Sequence, residues 1–255
     1  MPTKKEEAFR DSPSLKGDLN EVPGLGDAGI KNLQAKGIKT TYQLIGHFLN
    51  LNRNEADMIK FLIALDNRKN PEQYVENTAR AIKERVANKG FKCDIRLSDH
   101  VIKTATSMFN DAKKTDFLQK KLTGKLSDDF FGIKNEAGFK EAGIETSDHL
   151  FGEFLRHIDD PDPSKNTDKC DEFYARLVSL GASPGHKSAI IYQLQAKLGV
   201  GIDTHGPEAL KLQHLMPTLA EAPEDAIMED EFDKMNIDPP GTGGKSRTGR
   251  KKPVD

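Results

Sequence analysis

The sequence predicts an all-α protein, and three observations support this fold class. Apolar residues recur with helical spacing, as in the run Tyr42, Leu44, Ile45, Phe48 and Leu49. Alternating stretches of β-branched residues, which are typical of strands, are missing. Charged residues make up 31% of the chain and aromatic residues 7%, without a tryptophan, which suits small helical domains with modest cores. The 255 residues can form two domains of about a hundred residues each.

The chain is organised around residues 22–38. Gly24 and Gly26 flank Leu25 in a predicted tight turn, and a helix pattern follows at once. Glycines leave room for a phosphate at such a turn, and the amide groups that begin the next helix favour an anion. Together these features form the helix-hairpin-helix signature for gripping a DNA backbone. A tight turn that joins two core helices is the alternative, since Gly-x-Gly alone is a weak signal.

The pattern through residue 90 predicts five short helices behind a polar lead-in at residues 4–12. Thr40 or Thr41 can cap the helix that follows the hairpin helix. Asn70 and Pro71 are typical of a helix start, and they predict a last long helix that closes near residue 90. These elements indicate one compact helical domain.

An internal repeat at an offset of 106 residues indicates a second copy of this domain. Residues 37–40 recur as 143–146, and residues 44–49 recur as 150–155. The same offset places Phe130-Phe131-Gly132 at the hairpin, directly after Asp128 and Asp129. An aromatic ring and two carboxylates would repel a phosphate. We therefore expect the second copy to keep the fold and to lose the grip on DNA.

These patterns divide the chain into four segments, and charge distinguishes them. The first domain carries 15 Lys/Arg against 12 Asp/Glu and the second 13 against 15, within a net charge of −2, so charge favours the first domain as the DNA-facing one. The segments are 1–90, the first domain; 91–112, a connector with a helix from Ser98 to Phe109; 113–203, the second domain, with an inserted loop at 156–172; and 204–255, a largely disordered tail that is acidic and then basic.

Residues 1–90 resemble the barrier-to-autointegration factor (BAF) family, and residues 113–203 resemble it more distantly. The resemblance implies an all-α protein with two five-helix BAF-like domains of helix-hairpin-helix, SAM-like architecture, plus a disordered tail. It rests on an ungapped run from about Phe9 through the last helix and includes Gly24-Leu25-Gly26, Lys31, Leu33, Gly37, Tyr42, Gly46 and Phe48-Leu49, and in the second copy Gly132, Gly143, Gly152 and Phe154-Leu155.

The resemblance also implies a function. It implies a nuclear, and also cytoplasmic, chromatin and nuclear-envelope protein that binds and bridges double-stranded DNA without sequence preference, dimerises and receives LEM-domain proteins. Three positions depart from the family: Asn32 replaces a lysine, Phe61 a groove tryptophan and Asp57 an apolar groove residue. The implied DNA contacts are Lys5, Gly24, Leu25, Gly26, Ala28, Gly29, Lys31, Arg68, Lys69 and Gln73, and the implied dimer or partner groove contains Gly46, Phe61 and Gly152.

No motif predicts catalysis, and we expect no cofactor. Residues 239–246 lack the first glycine of a P-loop, so a Gly-rich tail is the favoured interpretation. Residues 160–171 resemble a calcium loop but have Lys165 where glycine is needed, which favours a polar insertion over a metal site. Two cysteines, Cys93 and Cys170, cannot build a disulfide framework. A polar start and the lack of a long apolar run predict no signal peptide and no membrane insertion.

Two functions remain open from the sequence, together with one question of arrangement. The chain is either a DNA-bridging chromatin protein, which the whole-domain resemblance favours, or an accessory helix-hairpin-helix subunit of a repair or recombination enzyme. Gly46 and Gly152 would let the two copies approach closely, which predicts an intramolecular pseudo-dimer. The competing arrangement pairs the first copies of two chains.

Overall fold

A computed structural model describes residues 3–12, 14–65, 72–87, 95–162 and 165–213, except for the side chains of residues 72 and 73. All of these residues fall in one compact unit. Their regular structure is helical, which confirms the all-α prediction. Within these ranges, no helix is both long enough and apolar enough to cross a membrane.

In its described residues, the first half of the chain, up to residue 87, contains five α-helices and one short 3-10 turn. Thr3 and Glu6 form a capping box at the first helix, which occupies the predicted polar lead-in and buries Phe9. Thr40 caps the third helix, because its hydroxyl accepts the amide of Gln43 at 3.1 Å. The elements are α1 Lys4–Asp11, the 3-10 turn Leu19–Glu21, α2 Asp27–Ala35, α3 Thr41–Asn50, α4 Glu55–Leu65 and α5 Glu72–Ala87.

The second half is built around one helix that is buried almost along its whole length. This helix, α12, packs against α6, α7, α11 and α13. The helices are α6 Asp99–Met108, α7 Asp111–Gln119, α8 Leu126–Asp129, α9 Ala137–Glu141, α10 Ser147–Arg156, α11 Thr167–Ser179, α12 Lys187–Val200 and α13 Pro207–Gln213.

Two predicted boundaries need correction. The connector helix is present as α6, but it packs on α12 and so belongs to the core of the second half. The packed region also extends beyond the predicted end at residue 203. Helix α13 buries Ala209 against α7 and α12, although we had placed these residues in the tail.

The turns that precede α3 and α10 have the same geometry at the predicted offset of 106. Gly37 and Gly143 have left-handed φ angles of 81° and 78°. Thr40 and Thr146 then cap the two helices through their hydroxyl groups. Glycine is favoured where φ is positive, because a Cβ would be strained there. The repeated letters of the sequence therefore correspond to repeated local structure.

Helix α3 packs directly against α10, and two glycines make the close contact possible. A Cβ atom at Gly46 would lie 2.6 Å from the Gly152 carbonyl oxygen. A Cβ atom at Gly152 would lie 2.7 Å from the Gly46 carbonyl oxygen. The two backbones therefore touch, with Gly46 against Gly152.

Polar groups along this contact are also paired between the halves. The Thr40 hydroxyl donates to the Ile158 carbonyl oxygen at 2.7 Å. The Gln43 amide group donates to the Arg156 carbonyl oxygen at 2.9 Å. The contact thus supplies donors to backbone carbonyl oxygens at the end of α10, where the last carbonyl groups of a helix have no intrahelical donor.

Arg53 forms ion pairs at the other end of the contact between α3 and α10. It lies in the turn between α3 and α4 with a left-handed φ of 56°. Its guanidinium group pairs with Asp148 at 2.6 Å and with Asp203 at 2.7 Å. Burial acts to lower the pKa of Arg53, but the two carboxylates outweigh this effect and raise it. Arg53 therefore joins the first half to the start of α10 and to the loop after α12.

The inserted loop between α10 and α11 is organised by the buried side-chain amide of Asn166. Asn166 is fully buried and accepts the amides of Asp159 and Asp160 at 3.1 Å. Its own NH₂ group donates to the carbonyl oxygens of Asp160 and Asp162 at 3.1 Å. In the part of the chain that the structure describes, no group of three His, Cys, Asp or Glu side chains could hold a metal ion.

Candidate nucleic-acid interface

The first hairpin glycine is required by packing. Gly24 has a left-handed φ of 79°, and a Cβ there would lie 2.4 Å from the Tyr74 carbonyl oxygen. The same Cβ would lie 2.5 Å from the Thr78 hydroxyl, which donates to the Pro23 carbonyl oxygen at 2.8 Å. Helix α5 therefore holds the hairpin from below, and Gly24 fits because it has no side chain.

The second hairpin glycine has open space around it. Gly26 is the N-cap residue of α2, no side chain caps this helix, and no atom lies within 4 Å of a Cβ built there. The first intrahelical bond runs from the Ile30 amide to the Gly26 carbonyl oxygen at 3.0 Å. The amides of Asp27, Ala28 and Gly29 consequently have no intrahelical acceptor. They form, with the positive end of the helix dipole, a surface suited to an anion.

The other predicted contact residues are only partly described. Lys5 on α1 and Lys31 on α2 are exposed, and neither forms an ion pair within the described residues. Leu25 is half-buried at the tip of the turn. Arg68 and Lys69 lie outside the described residues, as does the side chain of Gln73. The second DNA contact at the start of α5 therefore stays a prediction.

Asn32, which replaces a family lysine, has a structural role. Its side-chain amide donates to the Leu65 carbonyl oxygen at 2.6 Å. This bond satisfies an acceptor at the end of α4, where helical carbonyls have no intrahelical donor. The residue therefore ties the hairpin helix to α4.

The structure places two of the three predicted groove residues in one contact and the third on another helix. Gly46 and Gly152 are buried against each other between α3 and α10. Phe61 is half-buried on α4, with its ring centroid 3.9 Å from that of His47. Asp57 pairs with Lys60 at 2.8 Å on the same helix. The two glycines thus pack against each other within one chain. Phe61 contacts α3 through the ring of His47.

The second hairpin corrects the predicted alignment by two residues. Gly132 has a left-handed φ of 106°, and a Cβ there would lie 2.4 Å from the Cβ of His186, next to the start of α12. Gly24 meets α5 in the same way. Gly132 therefore corresponds to Gly24 at an offset of 108, and the first hairpin glycine has not become Phe130. Phe130 is instead buried in the core.

What the second hairpin lacks is the open helix start. Helix α9 begins at Ala137, five residues after Gly132, and has five residues, whereas α2 begins three residues after Gly24 and has nine. Glu136 stands at its N-cap and accepts the Ser127 amide at 2.8 Å. Hydrogen bonds from Ser127 and from Lys140 lower the pKa of Glu136 to about 2. An anion of the protein itself therefore stands at this helix start.

Asp129 does not face a ligand, contrary to the prediction that it repels phosphate. It is buried, and its carboxylate accepts the amides of Thr123 at 2.8 Å and Gly124 at 2.9 Å. It also accepts the hydroxyl of Ser147 at 2.6 Å. Glu21 does the same in the first half, where it accepts the amides of residues 16 and 17 at 2.8 and 3.0 Å. Both carboxylates therefore hold the loop before the hairpin.

An open helix start behind a glycine hairpin defines a nucleic-acid-binding helix-hairpin-helix module, and the comparison with protein-family models agrees. Residues 1–89 match the family model described as barrier to autointegration factor. The match covers the first domain and makes it similar to the BAF family, a non-enzymatic family of DNA-binding chromatin proteins. No curated protein and no solved structure was found to match the chain.

Proposed function

We propose that this chain binds double-stranded DNA without sequence preference through the hairpin at Gly24-Leu25-Gly26. The observation that carries the proposal is the uncapped start of α2 behind an open Gly26, within the segment that matches the BAF family. Amides and lysines that contact phosphate carry no sequence information, so every duplex would be bound similarly. Binding would also weaken steeply as the salt concentration rises, because counterions are released from the DNA.

Replacement of Gly26 by glutamate tests this function. Gly26→Glu puts a carboxylate into the space reserved for phosphate, so we expect roughly a hundredfold loss of duplex affinity in mobility-shift titrations. Ala35→Glu is the matched control, since it adds the same charge at an exposed position at the other end of α2. Equal affinity of the two variants would show that the hairpin is only structural.

We further propose that the second half is a divergent BAF-like copy that pairs with the first half inside one chain. The repeated caps at Thr40 and Thr146 and the contact between Gly46 and Gly152 support this arrangement. The polar contacts favour it over pairing of first copies between chains. Arg53 pairs with Asp148, whereas the residue 106 positions earlier is Tyr42, which offers no carboxylate. Without these carboxylates the half-buried Arg53 guanidinium would carry an unpaired charge, which is costly.

The arrangement predicts one duplex site per chain, and mass measurements test it. Light scattering should give the monomer mass of 28.3 kDa, and cross-links should form between α3 and α10 within that monomer. A stable dimer at low micromolar concentration, with cross-links between two copies of α3, would contradict the intrachain pairing. Bridging of two duplexes would then need no further contact.

Bridging, nuclear-envelope location and LEM-domain partners are the finer parts of the proposed function. A chain with one duplex site bridges DNA only through self-association or a second DNA contact. A looping or aggregation assay on duplex DNA, without metal or nucleotide, separates this function from that of an accessory repair subunit. Preferred binding to forks or nicks over intact duplex would favour the accessory subunit instead.

A further inference from the structure

The second hairpin presents an exposed aromatic ring among lysines. Phe131 follows the buried Phe130, and its side chain is 39% exposed. The Lys113 ammonium lies 4.6 Å from the centroid of this ring, and the His186 ring lies 5.1 Å away. Lys187, the neighbour of His186, lies 3.9 Å above the ring of Tyr174. We call Phe131, Lys113, His186, Lys187 and Tyr174 the aromatic-lysine strip.

The charges of this strip are not neutralised by carboxylates. In the described ranges, neither Lys113 nor Lys187 forms an ion pair, and both ammonium groups lie against aromatic rings. The Lys113 ammonium also donates to the Met108 carbonyl oxygen at 2.7 Å, which leaves its charge without a carboxylate. The nearby Asp128 is paired with Lys125 at 3.0 Å. Cation–π contacts hold a lysine in place and leave its charge available to an anion. The strip therefore offers an exposed ring with one lysine against it, and a second lysine that follows the neighbouring His186 in the chain.

The backbone of Phe131 is fixed, which settles how this hairpin can bind. Its amide donates to the Gln193 side chain at 2.9 Å, and its carbonyl oxygen accepts from the same side chain at 3.1 Å. These bonds take up the backbone groups that could otherwise contact a ligand. They also hold the ring in a fixed position, so that little ordering entropy would be lost when a ligand stacks on it.

We propose that the aromatic-lysine strip binds single-stranded nucleic acid, with a base against Phe131 and phosphates against Lys113 and Lys187. Proteins bind single strands by combining aromatic rings, on which bases stack, with a basic surface that follows the backbone. A duplex cannot use the ring, because its bases are already stacked on each other. The second half would thus have exchanged the duplex site of the first hairpin for a single-strand site.

The test uses the full chain with Gly26→Glu, so that the first hairpin does not contribute. Fluorescence anisotropy measures binding of a thymine oligonucleotide and of an abasic strand of equal length, which has the same charge without bases. We expect the thymine strand to bind more tightly. Adding Phe131→Ala should weaken thymine-strand binding roughly 5- to 150-fold, the range for loss of one stacked ring. It should leave the affinity for the abasic strand unchanged.

Matched variants separate stacking from general charge. Lys113→Gln and Lys187→Gln should each lower the affinity for both the thymine and the abasic strand. Lys169→Gln removes a lysine that is paired with Glu172 at 2.9 Å, and it should leave both affinities unchanged. Val178→Ala trims another side chain with 39% exposure and should have no effect. Equal binding of thymine and abasic strands, or equal competition by polyglutamate, would overturn the proposal. A uridine oligoribonucleotide in parallel determines whether RNA or DNA is preferred.

Failure here differs from failure of the duplex site. If Gly26→Glu still binds duplex DNA, the first hairpin is not the duplex site, and the thymine-to-abasic ratio still reports on Phe131. If Gly26→Glu loses duplex binding but shows no difference between the two strands, only the proposal for the aromatic-lysine strip is wrong.

Discussion

The two hairpins share their support and differ in the surface that they present. Gly24 and Gly132 both adopt a left-handed conformation, Gly24 against α5 and Gly132 against the start of α12, and a carboxylate at Glu21 or Asp129 holds the preceding loop. The nine-residue α2 starts openly at Gly26, whereas the five-residue α9 starts late. The fold therefore needs the first glycine and the carboxylate, and the phosphate site needs the turn of helix that follows.

The contact between α3 and α10 joins the two halves that carry the hairpins, and its disruption gives the largest expected effect. Gly46→Val would push a branched side chain into the Gly152 carbonyl oxygen, 2.6 Å from the new Cβ. Since the obstacle is backbone, we expect a loss of about 3 kcal/mol in the free energy of unfolding, at the upper end for overpacked sites. Urea denaturation followed by circular dichroism measures it.

Gly29→Ala is the control for this substitution. Its new Cβ would meet only the flexible Leu25 side chain, at 3.4 Å, and alanine favours a helix. Its stability should be equal to or above that of the parent protein. Wild-type stability of Gly46→Val would mean that the two helices separate readily in solution.

Removal of Asp129 tests whether the carboxylates before the hairpins are structural. Asp129→Ala leaves the amides of Thr123 and Gly124 and the hydroxyl of Ser147 without their acceptor, so we expect a loss of about 2 to 3 kcal/mol. Glu21→Ala removes only two such bonds at a half-buried site and should cost about 1 kcal/mol. Thermal unfolding of the two variants makes the comparison.

Asp128→Ala is the matched control, because Asp128 is exposed and its carboxylate forms a surface ion pair with Lys125 and a long hydrogen bond with the Ser127 hydroxyl. Its stability should match that of the parent. If Asp129→Ala instead gained duplex affinity with unchanged stability, the repulsion expected from the sequence would be correct after all.

The two glycines of the first hairpin should separate stability from DNA binding. Gly24→Ala forces a left-handed alanine against α5, which should cost about 1 to 2 kcal/mol of stability. Gly26→Ala enters open space, so its melting temperature should stay unchanged while its duplex affinity falls. Parallel melting and mobility-shift curves test this, and equal loss of stability in both variants would refute the separation.

The sequence predicts local features well and distant contacts poorly. Thr40, Thr146 and the glycines at 46 and 152 were recognisable because caps and close helix contacts depend on residue types at fixed spacing. The alignment at Gly132 failed because the second half has two residues fewer between Gly132 and Gly143 than the first half has between Gly24 and Gly37. The offset is therefore 108 at the hairpin and 106 after it, and such a change of spacing is invisible in the flanking letters.

The side chains that support the sites were missed for a related reason. Thr78 forms a hydrogen bond with Pro23, which is 55 positions away in the sequence. Gln193 forms one with Phe131, which is 62 positions away. Arg53 meets acids 95 and 150 positions away. Neither periodicity nor a motif connects such residues, because only the tertiary fold brings them together. Burial of Asp129 was missed likewise, since a carboxylate is seldom inside unless several donors converge on it.

The smallest expected effect is a pH dependence of stability caused by His47, which lies at the contact of the two halves. His47 of α3 lies against Phe61, and burial together with the positive charge of Arg156 lowers its pKa below the usual 6.5. The unfolded chain then binds more protons than the folded one just below pH 6.5. Stability should therefore fall as the pH decreases from 6.5 through the lowered pKa of His47, and it should be fully present above pH 6.5.

Two variants identify His47 as the source of this dependence. His47→Leu should flatten the dependence of melting temperature on pH in that window, because the group that takes up the proton is gone. Arg156→Gln removes one cause of the shift, so the His47 imidazole should titrate at a higher pH in an NMR titration, with burial still keeping it below 6.5. Since α3 carries both His47 and the glycine that meets α10, acid would loosen the support of both hairpins together. A pH dependence that persists unchanged in His47→Leu would assign it to other groups and leave the two hairpins independent of this residue.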